Sequence, residues 1–593
     1  MTISAYSRGP SLLLAALAAT ACHSSSEDSS DATGPGPQTS GNTDPEPSSS
    51  APDPDSGSTA PDPSSPGSDA TTGPVCPANT PPAAPTVQSP AAGHIDITAD
   101  NLVISGSAFV DADPGDVYGG VEVQILRVRD GVPDEVVWSA ELAGAAPPPG
   151  ITLADGSFTA DSATALEEWE DHVVRMRYRD DHGECSDYGP WSPDLLFRTD
   201  DGSTALFDES LVRDFYLDIP PDSFDNINAE AKPPGCVPFD RNYYTGSLRF
   251  EGQTFPNVGI KVKGGCGSSR DLGGKASFKV NLEWDDPSLP GCPGERRLMG
   301  QKHFTFNNGV QDNSASHERV GYHYFRAAGM PTPRIAHVRL FVNDELWGVY
   351  QHVETIDRRF LARWFASNDG MMYEGTYWCD LVSGNLPPTD DVDTTCLTRE
   401  FSPGPCSEPN PAGDPLDYSP LRAMITQVEA IPDGEYYPAI AQIFDFDAFL
   451  TTWAAESVIA HWDNYAFKIK NNYRVYHDPT TGLWTPISTG IDQTFNQEQD
   501  PWGAEGVLAV RCLQEPDCEA AFAARLHEVN DLFESLDLAA KADEVFTQIS
   551  PAVMEDPRKE YDFGTFQNRH QDLLNFIAGR PAQIRMWLTS RGY

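Results

Sequence analysis

The spacing of apolar side chains divides the chain into four textures. Pro10–Ala21 (PSLLLAALAATA) is an apolar run of twelve, shorter than the roughly 20 residues that span a bilayer core. From His23 to Pro74 there is no Leu, Ile, Val, Phe, Tyr, Trp, Lys or Arg. Between about 84 and 200, apolar and polar residues alternate: Val121, Val123 and Ile125, then Val174, Met176 and Tyr178, with Asp130-Gly131 and Asp155-Gly156 as turn signals. Period-two patterning with frequent turns and no helical run predicts a small all-β sandwich. From Leu206 onward, strand-like runs (Tyr243–Phe250, Val258–Val262, Ser277–Trp284, His337–Val342) give way to helical ones (Ser316–Ala328, Asp445–Ile459, Ala520–Leu536, Gln567–Leu588). That order predicts an α+β domain over 206–593.

Composition sharpens the picture at the N-terminal end. Arg8 precedes the apolar run, and the run ends in small residues before a cysteine, Ala19-Thr20-Ala21-Cys22. Residues 1–22 therefore resemble a bacterial lipoprotein signal, with Cys22 as the lipidation site. An ordinary signal peptide cut near the same point is the competing reading. Residues 23–83, rich in Ser, Pro and Asp, cannot bury enough apolar surface to offset chain entropy and are expected to be a disordered tether. Both readings place the protein outside the cytoplasm; the lipoprotein reading also holds it at a membrane or cell surface, with the outer membrane favoured by His23 after the cysteine.

The 593 residues carry a net charge of −48. Residues 1–80 hold nine acids and one arginine, so most of that charge belongs to the folded part. It argues against a nucleic-acid partner, which needs a basic face. Of the eleven cysteines, ten remain once Cys22 is set aside. An even count in an exported chain favours disulfides over catalytic thiols. Cys512 and Cys518 are placed to close a small loop and Cys76 to reach Cys185; the other pairings stay open.

Several chemical motifs fail on spacing. Gly274-Lys275 lacks the Gly at 269 and the Ser or Thr at 276 that a phosphate loop needs. After His317-Glu318 the next histidine is His323, six positions on, which cannot share a helix face to hold zinc. No GxSxG elbow is present.

Four segments remain. Gly259–Ser269 runs a strand into a turn rich in Gly and Ser, where Lys263, Gly264, Gly265, Ser268 and Ser269 can lie against anionic oxygens. Lys279, on the next strand, is placed to aim an ammonium back at that turn, with Lys275 as the second choice. Glu318, in the first turn of a helix, is placed to pair with the lysine. Asp463, Asn472 and Asp492 arrive on loops as a hard-oxygen set suited to magnesium. Each residue alone is more often a solvated or turn residue. Together they are the working parts of a kinase-like phosphotransferase.

In order along the chain, six stretches carry a family resemblance: Lys261–Ser269 (KVKGGCGSS), Lys275–Leu282 (KASFKVNL), His317–Arg334 (HERVGYHYFRAAGMPTPR), Asn343–Asp357, Trp462–Pro479 and Ile491–Phe495 (IDQTF). Residues 206–593 resemble the CotH kinase family, the spore-coat-protein-H-like secreted atypical kinases. The end of the β region, Val174–Thr199, resembles the last strands of a fibronectin type III domain. The kinase resemblance implies a two-lobed atypical kinase fold, ATP with Mg²⁺ or Mn²⁺ as cofactors, and Ser/Thr phosphorylation of an unidentified protein acceptor. It assigns Asp463 as the catalytic aspartate, Asn472 and Asp492 as metal ligands, Lys279 and Glu318 as the phosphate-contacting pair, and Gly348–Glu354 as the segment near adenine. The chain departs from a common family form, WDxD, in reading Thr489-Gly490-Ile491-Asp492. A pseudokinase acting as a surface binding protein is therefore the alternative.

Overall fold

A computed structural model describes residues 79–593, except 92–96, 100, 130, 160–165, 183–184, 231, 234, 237–238, 240, 285–295, 390–395 and 400–417. Cys22, the tether to residue 78, and Cys76 lie outside the described residues. Among the described residues no helix is long and apolar enough to cross a membrane.

The alternating segment folds as expected from its pattern. Tyr118–Arg129 and Asp171–Asp180 pair antiparallel, with Val121 opposite Tyr178, Val123 opposite Met176 and Ile125 opposite Val174. All six are buried in one cluster with Trp138 and Phe197, so the alternation does define the inward face. These strands belong to a five-stranded sheet, and a two-stranded ribbon (Val87–Ser89 with Ser105–Gly106) shares its core. On the outer face Trp191 lies against Arg175 and Arg177, 4.7 and 4.4 Å from its ring centre.

Beyond residue 206 the strands close into a seven-stranded barrel. Its order is Gln253–Lys263, Ser277–Asn281, His303–Asn307, Glu345–Glu354, Ile335–Val342, Arg213–Asp218 and Tyr244–Phe250, returning to the first. Neighbours run antiparallel except Ile335–Val342 beside Arg213–Asp218. Ile260, Val262, Phe278, Val280, Phe304 and Phe306 fill the interior. Lys261, Lys263, Lys279 and Asn307, on the opposite parity, therefore stand on the outside. Helix His317–Ala327 joins two barrel strands and packs into a second, larger core built with Phe446–Val458, Pro516–Ser535 and Phe563–Arg591 around a four-stranded antiparallel sheet. Trp453 stacks on Phe522 there at 3.6 Å between ring centres. Each such fully buried large side chain contributes about 1.5–3 kcal/mol.

Three long helices start at capping aspartates. Asp445, Asp537 and Asp562 each accept the backbone N–H three residues on, an arrangement worth about 1 kcal/mol per cap. The described disulfides are Cys236–Cys266, Cys379–Cys396 and Cys512–Cys518. The small loop predicted at Cys512–Cys518 is thus observed.

Candidate functional site

The site forms where the outer face of the barrel meets helix His317–Ala327 and the loops after helix Phe446–Val458. Lys263 ends its strand beside Ser277, and its ammonium donates to Asn307 Oδ1. Asn307 in turn offers Nδ2 to both oxygens of Glu318, at 3.3 and 3.5 Å. Glu318 is 2% exposed. Burial, then the charge of Asp492, pushes its carboxyl up, with Lys263 opposing. Burial, then Lys279, pushes the Lys263 ammonium down. Lys263, not Lys279, is therefore the lysine engaged with Glu318. Lys279 faces the same way, but its register partners are Lys261 and Thr305.

Asp463, on the loop after helix Phe446–Val458, is 8% exposed. Its Oδ2 accepts from the side-chain amides of Asn471 and Asn472, both at 3.2 Å. Its Oδ1 is buried with no hydrogen-bond partner among the described residues. Burial pushes this carboxyl up. Asp492 lies in a 3₁₀ turn, Ile491–Gln493. Its carboxyl is raised by burial and then by Asp312, and it also feels Lys263, His461 and Asp463. Asp492, whose carboxyl is raised by burial and by the acids Asp312 and Asp463, is a donor that suits a bound cation, together with the side-chain oxygen of Asn472. The donors are hard oxygens, as Mg²⁺ requires.

The segment Ala466–Lys470, which lengthens the Asp463–Asn472 spacing, folds inward: Ala466 and Phe467 are buried, and Ala466 O accepts from Glu505 and Gly506 N–H. Gly490 has φ +60, and a Cβ there would sit 2.5 Å from Asn472 Oδ1. Glycine at 490 thus goes with Asn472 turned toward Asp463. A side chain at 490 would disturb that arrangement.

The glycine-rich turn is tightly held. Gly264 has φ +114, and Ser269 N–H closes the turn onto Gly265 O at 3.1 Å. Asn308 Nδ2 grips Ser268 O and Arg241 donates to Ser269 Oγ. Cys266 N–H donates to Tyr377 Oη at 3.0 Å.

Two expected site residues are engaged elsewhere. Lys275 is buried in an ion pair with Asp556 at 2.6 Å, and Asp556 also accepts from Val349 and Arg558 N–H. Its ammonium is committed to holding a C-terminal segment on the barrel, so it does not reach a phosphate. Glu354, 3% exposed, is clamped by the guanidiniums of Arg334 (2.7 Å) and Arg363. Burial alone would raise its carboxyl, but the two arginines hold it down at about 2. It closes a barrel strand and is not free to meet a base.

Four participants were not assigned a role from the sequence. Asp312, 1% exposed, accepts from His317 N–H and so caps the helix that carries Glu318. An Asp a few residues ahead of a helix start was the available signal. His461 is wholly buried, with Nδ1 3.3 Å from Glu456 Oε1 and Nε2 lacking a partner among the described residues. Asn307 and Tyr377 carry no local signal, since each joins the site by long-range contact.

A glycine-rich turn, a lysine tied to a helix glutamate, and an acid–asparagine loop are the kinds of parts that kinase-like sites use. The family model for "CotH kinase protein" matches residues 260–584, more than half of the chain, and the chain belongs to that family. It is 20% identical over 301 residues to the "Inner spore coat protein H" of Bacillus subtilis (strain 168), covering 49% of this chain and 79% of that one. To "Invasin CotH2" of Rhizopus delemar it is 25% identical over 380 residues, 58% of this chain and 59% of that relative. Among solved structures, the Helicobacter pylori proinflammatory kinase CtkA is matched at a TM-score of 0.21 and 9% identity over 60% of this chain and 95% of that one. At that score the fold description stands on this chain's own geometry.

Proposed function

We propose that residues 206–593 form a two-lobed atypical protein kinase that transfers the γ-phosphoryl of ATP to Ser or Thr hydroxyls of surface or secreted proteins. The observation that carries the reading is the buried Asp463 carboxylate with one oxygen unpartnered among the described residues, its charge felt at Asp492, which in turn raises the lysine-linked Glu318. Asp463 is the residue to orient the acceptor hydroxyl and take its proton, and its raised carboxyl makes it a better base than a solvated aspartate. Asp492 and Asn472 would hold Mg²⁺ or Mn²⁺, which when bound neutralises charge on the triphosphate. Lys263, fixed by Asn307 and Glu318, is the cation for the phosphates, with Lys279 beside it. The turn Gly264–Ser269 offers backbone N–H groups to the same oxygens.

Gly490 favours a second reading, a non-catalytic kinase fold displayed as a binding surface. Labelled ATP with Mg²⁺ or Mn²⁺, added to the full chain with a general protein acceptor, separates the two. Phosphate incorporation that disappears in Asp463→Ala supports the kinase. No transfer, to an acceptor or to the chain itself, together with no nucleotide binding leaves the surface-binding reading.

Residues 84–200 would serve as a fibronectin type III-like spacer, and Cys22 as the lipid anchor that holds the protein at the outside of the cell. Cys22→Ser should move the protein from the membrane to the soluble fraction. Equal membrane association of the variant would reject the anchor.

A further inference from the structure

We infer that Tyr377 is a gate on the glycine-rich turn: its phenolic oxygen holds the Cys266 amide that a phosphate oxygen would take, so a nucleoside triphosphate must displace it to bind. The inference rests on the nucleotide reading above and adds a residue to it.

The contact is specific. A hydroxyl oxygen that accepts a backbone N–H at 3.0 Å occupies the same position as an anionic oxygen cradled by the turn. Gly265 is shaped to it, because a Cβ there would lie 2.0 Å from the Tyr377 oxygen. The absence of a side chain at 265 thus already serves the tyrosine. The phenol also lies within electrostatic reach of Asp463 and Asp492.

Both arms of the contact are anchored, and one of them is strained. Cys266 is tied to Cys236, and Cys379, two residues after Tyr377, is tied to Cys396. Tyr377 and Trp378 have φ +33 and +64. Two consecutive non-glycine residues in this region are costly and persist only when neighbours hold them. The holders are Tyr377 N–H to Asn471 Oδ1 at 3.1 Å and Trp378 N–H to Ile469 O. Asn471 is also the amide that donates to Asp463. Displacing Tyr377 would therefore loosen a restraint on the loop that carries Asp463, coupling nucleotide arrival to the acceptor side. Trp378, 56% exposed and 6.1 Å from the Tyr377 ring, marks the open side toward which the strap can swing.

Tyr377→Phe keeps the ring and removes only the acceptor oxygen. In calorimetry with Mg²⁺ and a non-hydrolysable ATP analogue on the full chain, it should bind about 2–10-fold tighter than wild type, the worth of one neutral hydrogen bond. In turnover assays it should lower KM for ATP by a similar factor. Hydrogen exchange of the peptide spanning 264–269 should be faster in the variant without nucleotide and return to wild-type protection with it. Equal or weaker analogue binding by Tyr377→Phe, or protection that nucleotide does not restore, overturns the gate while the nucleotide reading survives through the wild type. Wild type and variant both failing to bind the analogue would sink the gate together with that reading. Binding by the variant alone would be the strongest support.

Discussion

Two sets of buried charges lie around the same barrel, and they are balanced in opposite ways. Lys275 meets Asp556, and Glu354 meets Arg334 and Arg363, so every acid has a cation in direct contact. Around Asp463 the acids outnumber their cations. Asp463, Glu318 and Asp492 are all pushed up in pKa by burial; Asp492 raises Glu318 further, and Asp312 and Asp463 raise Asp492. The first set is closed and structural. The second stays destabilised until something positive arrives, which is the usual electrostatic signature of a site that binds or reacts.

The sharpest break of this comparison is Asp463→Ala. It should cost phosphotransfer about 10²–10⁴-fold while leaving ATP binding near wild type, because a base acts on the reacting complex. Asp492→Ala should instead abolish metal-dependent ATP binding by calorimetry. Identical binding defects in the two variants would erase the assigned division of labour.

Lys275→Met should leave Asp556 buried without its cation and destabilise the fold by about 3–5 kcal/mol in denaturant unfolding. Lys263→Met should do the reverse: it should slow transfer by about 10²-fold with a small stability change, since Lys263 is held in a disfavoured charged state. Lys279→Met should slow transfer less. A larger defect at Lys279 than at Lys263 would return the phosphate contact to the neighbouring strand.

pH separates the two sets by sign. Glu354 has its carboxyl lowered from 4.5 to about 2, so its contribution is present above 4.5 and is lost as pH falls toward 2. Glu354→Gln should be destabilised at neutral pH, and its deficit should shrink across that window. Glu318 is raised, so the folded state holds its proton more tightly than the unfolded chain and wild-type stability falls as pH rises above 4.5. Glu318→Gln should flatten that decline and be at least as stable as wild type at pH 7. Parallel profiles for the two variants would contradict the contrast. The smallest effect is expected at Gly490→Asp, which supplies the family's missing acid. It should lower activity a few-fold, because a Cβ there collides with Asn472.

Much of this was legible because local patterns are strict. Parity along Val121–Ile125 and Val174–Tyr178 fixed which side chains face inward, since a strand can bury only every second residue. The helical runs at 316–328, 445–459, 520–536 and 567–588 each fall on an observed helix, whereas helix Leu538–Glu555 was not anticipated and the last helix begins earlier, at Phe563 after its cap Asp562. Asp463 and Asn472 were brought together as their motifs implied, with Asp492 close enough to feel the Asp463 charge.

What the sequence determined by itself was the position of four barrel strands and four helices, the inward faces of the small β region and the family, each carried by residues near one another in the chain. Tertiary structure alone decided which lysine serves Glu318. Lys261, Lys263 and Lys279 share one parity, and only the register that sets Lys263 opposite Ser277 brings an ammonium to Asn307. It likewise decided that Lys275 and Glu354 are closed ion pairs, because Asp556 and Arg363 come from distant or separately folded segments. Tyr377 reaches Cys266 across 111 residues of chain. Burial and long-range pairing shift Lys263, Lys275 and Glu354, and neither quantity exists until the chain has closed on itself.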